Sequence, residues 1–234
     1  MALPFFYIDQ FLEANSLVTL NEVTSKHVAQ VLRMQNGAQL QLTDGKGQAV
    51  VATIMDNDKK QCRVQTAGDI VVTTPPSANT IAISLVKNAH RFEWFLEKAT
   101  EIGIGRIVPL ICTRTEKQHF RHDRMKGILV SAMLQSQQSW LPQLEEPVRF
   151  NEFMKRETDN KKFIAHCEED LRTPLSQQLE VGRANLICIG PEGDFTIDEI
   201  YLATSKDFLP VSLGDSRLRT ETAGIVAATL LSIR

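Results

Sequence analysis

The sequence predicts an α/β chain in two parts, a small β-barrel followed by a mostly parallel sheet covered by helices. Three observations predict it. Up to Val72, short runs alternate apolar and polar residues between turn signals; Thr73-Thr74-Pro75-Pro76-Ser77 then interrupts any ladder; from Thr80 onward, apolar runs alternate with stretches of helical period. A chain of 234 residues accommodates a small domain joined to a medium one, and the interruption sets their expected extents at 1–72 and 77–234.

In the first part the alternating runs are residues 39–42, 48–54 and 61–68, with turns at Asn36-Gly37, at Asp44-Gly45 and across 56–59. One short helix interrupts them, because Ser25 is suited to cap a run in which Val28, Val31 and Leu32 share a face and Arg33 leaves near the end. The proline-rich stretch is stiff and cannot complete a ladder, so it reads as the linker.

In the second part the strand candidates are residues 80–86, 106–111, 162–165, 185–189 and 210–213. Between the first two lies a helix whose stripe is Phe92, Phe95, Leu96, Ala99 and Ile102, ended by Gly103 in a left-handed conformation. The last helix, through Ile225, Val226, Ala228, Thr229 and Leu230, carries an apolar, small-residue surface and must be buried in the core or in a subunit interface; Thr220 or Ser216 is its expected cap.

Composition narrows the class. At 43% hydrophobic and 23% charged residues the chain is globular, and no apolar run approaches the length of a membrane span. The first nine residues lack the basic stretch and cleavage site of an export signal, so the cytoplasm is expected. Cys62, Cys112, Cys167 and Cys188 lie far apart with no CxxC pair and read as buried free thiols, and His119 with His122 lacks a nearby third ligand, so no metal is expected. A net charge of −2 gives no overall attraction to nucleic acid, so RNA binding would need a local patch. Arg114, Lys117, Arg121, Arg124 and Lys126, opposed by Glu116 and Asp123, form such a patch or a solvated loop and helix face.

In parallel sheets, ligands bind beyond the carboxyl ends of the strands. Three loops leave such ends here: residues 189–195, followed by the capping-box spacing of Thr196 and Glu199; residues 213–223; and Ala165-His166-Cys167-Glu168-Glu169, where His166 also reads as a packed histidine. Neither GxGxxG nor GxxxxGK occurs, and Gly103-Ile104-Gly105 precedes a strand rather than a helix, which disfavours dinucleotide and nucleoside-triphosphate sites.

Ile189-Gly190-Pro191-Glu192-Gly193, Leu213-Gly214 and Leu218-Arg219-Thr220-Glu221-Thr222-Ala223 together resemble the loops of the SPOUT-class 16S ribosomal RNA uridine-N3 methyltransferases. The resemblance extends back through Arg91-Phe92-Glu93-Trp94-Phe95-Leu96-Glu97-Lys98-Ala99-Thr100-Glu101-Ile102-Gly103 to His27-Val28-Ala29-Gln30-Val31-Leu32-Arg33, and so covers nearly the whole chain. It implies a PUA-like β-barrel followed by a SPOUT methyltransferase domain, with a parallel sheet flanked by helices and a deep trefoil knot, acting as a homodimer. It further implies S-adenosyl-L-methionine as cofactor, S-adenosyl-L-homocysteine as product, no metal, and 16S ribosomal RNA in the small ribosomal subunit as partner.

Transferred residue by residue, the resemblance places the cofactor among His166, Cys167, Glu168, Ile189, Gly190, Pro191, Glu192, Gly193, Leu213, Gly214, Leu218 and Arg219. Arg219 and Arg114 are expected to stabilise negative charge on the base, and Glu221 or a water to take its proton. Lys26, Arg33, Arg91, Arg114, Lys117, Arg121 and Arg124 are the expected RNA contacts. The chain departs from the family pattern at Thr113, where an acidic residue is frequent, at Gln138, where an arginine is, and at Asp194, where a glycine is. Alternative readings are a SPOUT enzyme acting on transfer RNA or a ribose 2′-hydroxyl, and a silent RNA-binding or ribosome assembly factor.

Overall fold

The computed structural model describes residues 3–10, 12–75, 77–168, 172–180 and 182–233; Pro76 of the expected linker and Glu169 of the third loop lie outside them. The chain forms two compact units, one of residues up to Pro75 together with Met133–Leu141, the other of Pro76–Ala132 and Pro142–Arg234.

The first unit contains β1 (Phe5–Tyr7), β2 (Leu17–Thr19), α1 (Glu22–Lys26), a π-turn (His27–Val31), β3 (Gln39–Thr43), β4 (Gln48–Asp56) and β5 (Arg63–Val72). Its sheet has the order β1-β3-β4-β5-β2, antiparallel except for the β1–β3 pair. Register shifts between Val50 and Ala52, and between Ile54 and Asp56, bend β4, and the curled sheet closes around Leu12, Leu40, Leu42 and Val64.

The expected helix is present but starts earlier than Ser25. Asn21 is the cap, its side chain accepting from the Thr24 N–H at 2.9 Å. Ser25 is instead buried inside the helix, donating to the Leu20 carbonyl and accepting from the Cys62 N–H. Of the expected stripe only Val28 is buried; Val31 and Leu32 are exposed because the π-turn rotates them off the α-helical face.

Residues 133–141 join the first unit although the sequence reading placed them in the second. Trp140 bridges to Lys46 and donates its indole N–H to the Thr73 carbonyl, while the Thr43 hydroxyl donates to the Ser139 carbonyl. Gln138 stands in this segment, its N–H closing a turn onto the Met133 carbonyl.

The second unit begins with β6 (Thr80–Ser84), α2 (Ala89–Ile102), β7 (Arg106–Ile111) and α3 (His122–Gln135), the last turn of which belongs to the first unit. It continues with β8 (Gln143–Leu144), β9 (Val148–Arg149), α4 (Phe150–Phe153), β10 (Lys161–Ala165), β11 (Thr173–Pro174) and α5 (Leu175–Gln178). It ends with β12 (Asn185–Ile189), α6 (Ile197–Thr204), β13 (Leu209–Ser212) and α7 (Thr220–Ser232). The strands pair in the order β11-β13-β10-β12-β6-β7-β8, with β9 also on β7, and every pairing is parallel. β6 and β12 are buried along their whole length, as strands covered on both faces must be.

Helix α2 buries Phe92, Phe95, Leu96 and Ala99 and ends at Gly103 with φ +92°. Helix α7 lies against it and against β6 and β12, so its inner face belongs to the core. The small residues explain how closely it packs: a Cβ at Gly224 would stand 2.6 Å from the Phe95 ring. Among the described residues no helix is long and apolar enough to cross a membrane.

Candidate active site

β10 lies between β12 and β13, with Ala165 opposite both Ile189 and Val211, so the chain leaves all three strands at one edge. The loops that follow enclose a cavity of about 320 Å³, lined by residues 165–167, 189–192, 194, 211–214 and 216–220 together with Arg172 and Ala223. The three loops singled out from the sequence therefore share one cavity. Ten of the expected cofactor residues line it: His166, Cys167, Ile189, Gly190, Pro191, Glu192, Leu213, Gly214, Leu218 and Arg219. Glu168 and Gly193 do not; Glu168 is exposed, and Gly193 turns toward Arg114, whose Cδ would be 3.3 Å from a Cβ placed there.

The loop after β12 is held from several directions. The Asp194 N–H donates to the Pro191 carbonyl at 2.9 Å and closes a turn. The buried Thr220 hydroxyl donates to the Gly190 carbonyl at 2.9 Å, and the Lys87 N–H donates to Glu192 Oε1 at 2.9 Å. Arg114 Nη1 donates to the Gly193 carbonyl at 2.6 Å and to that of Phe195 at 3.3 Å. Phe195 is fully buried against Phe150, anchoring the end of the loop in the core.

The capping box forms at the start of α6: Thr196 accepts from the Glu199 N–H, and Glu199 Oε2 accepts from the Thr196 N–H at 2.9 Å. Glu199 Oε1 accepts from the Thr113 N–H at 2.8 Å and from its hydroxyl at 3.1 Å. The threonine thus has a structural reason: an acidic side chain at 113 would place a second carboxylate against buried Glu199.

The cap expected for α7 is corrected. Arg219 occupies that position without a side-chain capping bond, because the Thr220 hydroxyl is committed to Gly190.

The cavity wall is zwitterionic. Arg172, Arg217 and Arg219 supply cations, Glu192 and Asp194 supply carboxylates, and Ile189, Pro191, Leu213 and Leu218 supply apolar surface. Arg172 also donates to the His166 carbonyl at 2.6 Å. Nothing in the sequence marked Arg172, which belongs to no motif, and Arg217 stood inside a recognised stretch with no role given to it.

The cysteine expectation holds for three residues and fails for one. Cys62, Cys112 and Cys188 are buried, and burial pushes their thiol pKa values up. Cys167 is exposed and lines the cavity, because the chain has left β10 by this point. Partial burial of its thiol, then the field of Asp194, raises its pKa against the opposing pull of Arg217 and Arg172.

An RNA methyltransferase domain model matches residues 73–232, and an RNA methyltransferase PUA domain model matches residues 20–66. The ribosomal RNA small subunit methyltransferase E of Synechocystis is 31% identical over 226 residues, which cover 94% of this chain and 73% of the relative. The chain belongs to the ribosomal RNA small subunit methyltransferase E family. A probable rRNA-methyltransferase from Porphyromonas gingivalis, known from its crystal structure, superposes with a TM-score of 0.90 at 36% identity, covering 99% of both chains. The family member from Neisseria gonorrhoeae, solved bound to S-adenosyl methionine, superposes with a TM-score of 0.89 at 27% identity, covering 99% of this chain and 97% of that one.

Within this family member the expected catalytic residues do not all meet at the cavity. Arg219 lines it; Arg114 reaches it only through the loop it holds. Glu221 is buried in the first turn of α7, 3.7 Å from Arg91, and its Oε2 has no hydrogen-bond partner among the described residues. Of the expected RNA contacts, Lys26 and Arg33 are exposed on the first unit, and Lys117 and Arg121 are exposed in the stretch between β7 and α3. Arg114 and Arg124 are exposed and Arg91 is half-buried, and all three have partners within the chain, Arg124 in a two-point ion pair with Glu93 at 2.6 and 3.0 Å.

Proposed function

We propose that this chain transfers a methyl group from S-adenosylmethionine to N3 of a uridine in 16S ribosomal RNA, acting in the cytoplasm as a homodimer on the small ribosomal subunit. The observation that carries the reading is the convergence of three strand-end loops on one cavity in a member of this family. The cavity lies in the volume range of small-ligand sites. Its apolar residues suit a purine, its arginines a carboxylate and Glu192 a cationic end, so the lining fits the cofactor. The deep trefoil knot belongs to the same reading. Ile225, Val226 and Leu230 of α7 are half-buried and offer apolar surface to a second subunit.

When bound, the cofactor supplies a methyl group made electrophilic by its own sulfonium charge. The protein has to align that group with N3 and favour the anionic base, since N3 carries a proton that must leave. Arg219, at the cavity wall, places a cation where that charge develops. Arg114 shapes the loop at Gly193, and a water takes the proton, directly or as a relay to Glu221, which stands buried off the cavity. Lys117 and Arg121, with Lys26 and Arg33, contact phosphates, which position RNA without selecting a sequence.

Calorimetric titration with S-adenosylmethionine, followed by nucleoside mass spectrometry of small subunits from cells lacking the gene, tests the reading. Binding, together with 3-methyluridine appearing only after incubation with enzyme and cofactor, is expected. Methylation at a ribose, on transfer RNA only, or absent despite binding overturns it.

A further inference from the structure

Asp194 stands in the left-handed region with φ +64°, a conformation uncommon for residues with a Cβ. Its carboxylate spans two loops: Oδ2 accepts from the Cys167 N–H at 2.7 Å, and Oδ1 accepts from the Phe195 N–H at 2.8 Å. β10 and β12 stop pairing at Ala165 and Ile189, so the two loops diverge there and the Cys167 N–H has left the ladder. The side chain takes over where strand pairing ends. Arg114 holds the same loop from the other side through the carbonyls of Gly193 and Phe195, so Asp194 sits at the centre of a fixed turn.

We propose that Asp194 is a positioning residue that ties the loop after β10 to the loop after β12 and so sets cofactor affinity before the cofactor arrives. The inference rests on the reading of this cavity as the S-adenosylmethionine site. Asp194 does not exchange a proton or contact the target base. It contributes to binding, and because the methyl donor and its demethylated product occupy the same loops, it contributes equally to both.

Asp194→Gly isolates this role, because glycine adopts the left-handed conformation without strain and only the carboxylate is lost. Loss of a charge-assisted hydrogen bond to a backbone N–H is expected to weaken both S-adenosylmethionine and S-adenosylhomocysteine by roughly ten-fold. The loss appears in Kd and in the KM for the cofactor, and any change in kcat is smaller than the change in kcat/KM. Asp194→Asn tolerates the same backbone and keeps one acceptor oxygen, which can serve the Cys167 N–H while the Phe195 N–H loses its partner, so it restores part of the affinity. Calorimetric Kd values for both ligands and the kcat–KM split on small subunits measure this, with circular dichroism to verify that each variant is folded.

Wild-type affinity in Asp194→Gly, a fall in kcat without a change in Kd, or an asparagine variant as weak as the glycine one overturns the inference. Should Asp194→Gly not fold, Asp194→Asn decides alone: a modest, equal weakening for both ligands supports the tie, and none or an unequal one overturns it. If the wild-type protein itself binds no S-adenosylmethionine, the assigned function fails first and takes this inference with it.

Discussion

The Thr220 hydroxyl donates to the Gly190 carbonyl at 2.9 Å, joining the first turn of α7 to the loop after β12 inside the protein. The bond satisfies a carbonyl in a buried setting, and Thr220 is itself buried. Thr220→Val keeps the shape and removes the donor, leaving that carbonyl unpaired at a cost of about 1–3 kcal/mol. Thermal unfolding should show a melting temperature lowered by several degrees, and Thr220→Ser should recover most of it.

Gly190→Ala tests the same loop by crowding. An added Cβ would stand 3.1 Å from both the backbone N and the ring of Phe195, which is fixed in the core against Phe150. The loop rather than the phenylalanine must therefore yield. Overpacking of this kind costs about 1–3 kcal/mol, and the displaced turn should weaken S-adenosylmethionine binding by more than ten-fold while the far-ultraviolet spectrum is unchanged.

Arg114 and Lys117 separate loop support from RNA contact. Both side chains are exposed, but Arg114 donates to two carbonyls of the loop after β12, whereas Lys117 projects from the stretch between β7 and α3. Arg114→Ala should raise the Kd for S-adenosylmethionine several-fold and leave the salt dependence of RNA binding nearly intact. Lys117→Ala should do the reverse, reducing the slope of log K against log salt by about 1. Fluorescence titrations of a labelled RNA at several salt concentrations distinguish the two.

Thiol chemistry follows the burial pattern. A raised pKa means that, at a given pH, Cys167 holds less thiolate than a thiol at the ordinary value of 9.0, so its alkylation by iodoacetamide should be slow near pH 8 and still accelerating above pH 9. Removing the Asp194 charge lowers that pKa and should speed the reaction at pH 8. Cys62, Cys112 and Cys188 should remain unlabelled until the protein unfolds. Peptide mass spectrometry across a pH series reads all four sites.

Much of the architecture was legible because its signals are local. The apolar runs of β7 and β12 and the helical stripe from Phe92 to Ala99 each lie within a few turns of chain, and the structure realises them where the periodicity put them. What was not legible depends on partners distant in sequence. Residues 133–141 join the first unit through Ser139 and Thr43, 96 positions apart, and no local pattern marks such a pairing. Cap assignments at Ser25 and Thr220 failed for one reason: each hydroxyl had a buried tertiary partner that outcompeted the helix terminus. At the site, motif spacing located the loops, while Arg172 belongs to no motif and the Asp194 bridge joins loops far apart in the chain.

Glu199 links α6, the loop after β12 and the turn after β7, and its substitution should reveal how far the site depends on that hub. Its two oxygens accept from the N–H and hydroxyl groups of both Thr113 and Thr196, and the residue is buried. In Glu199→Gln one oxygen becomes an NH2 group facing two donors. At least one backbone N–H then loses its acceptor in a setting that water reaches poorly, and the capping box is halved if the amide turns toward Thr196. The expected loss is about 2–4 kcal/mol. Because Thr113 precedes Arg114, releasing it also loosens the guanidinium grip on Gly193, so cofactor affinity should fall together with stability. Chemical denaturation with and without S-adenosylmethionine measures both quantities. A variant that loses stability but keeps wild-type cofactor affinity would show that the turn after β7 holds Arg114 without help from Glu199.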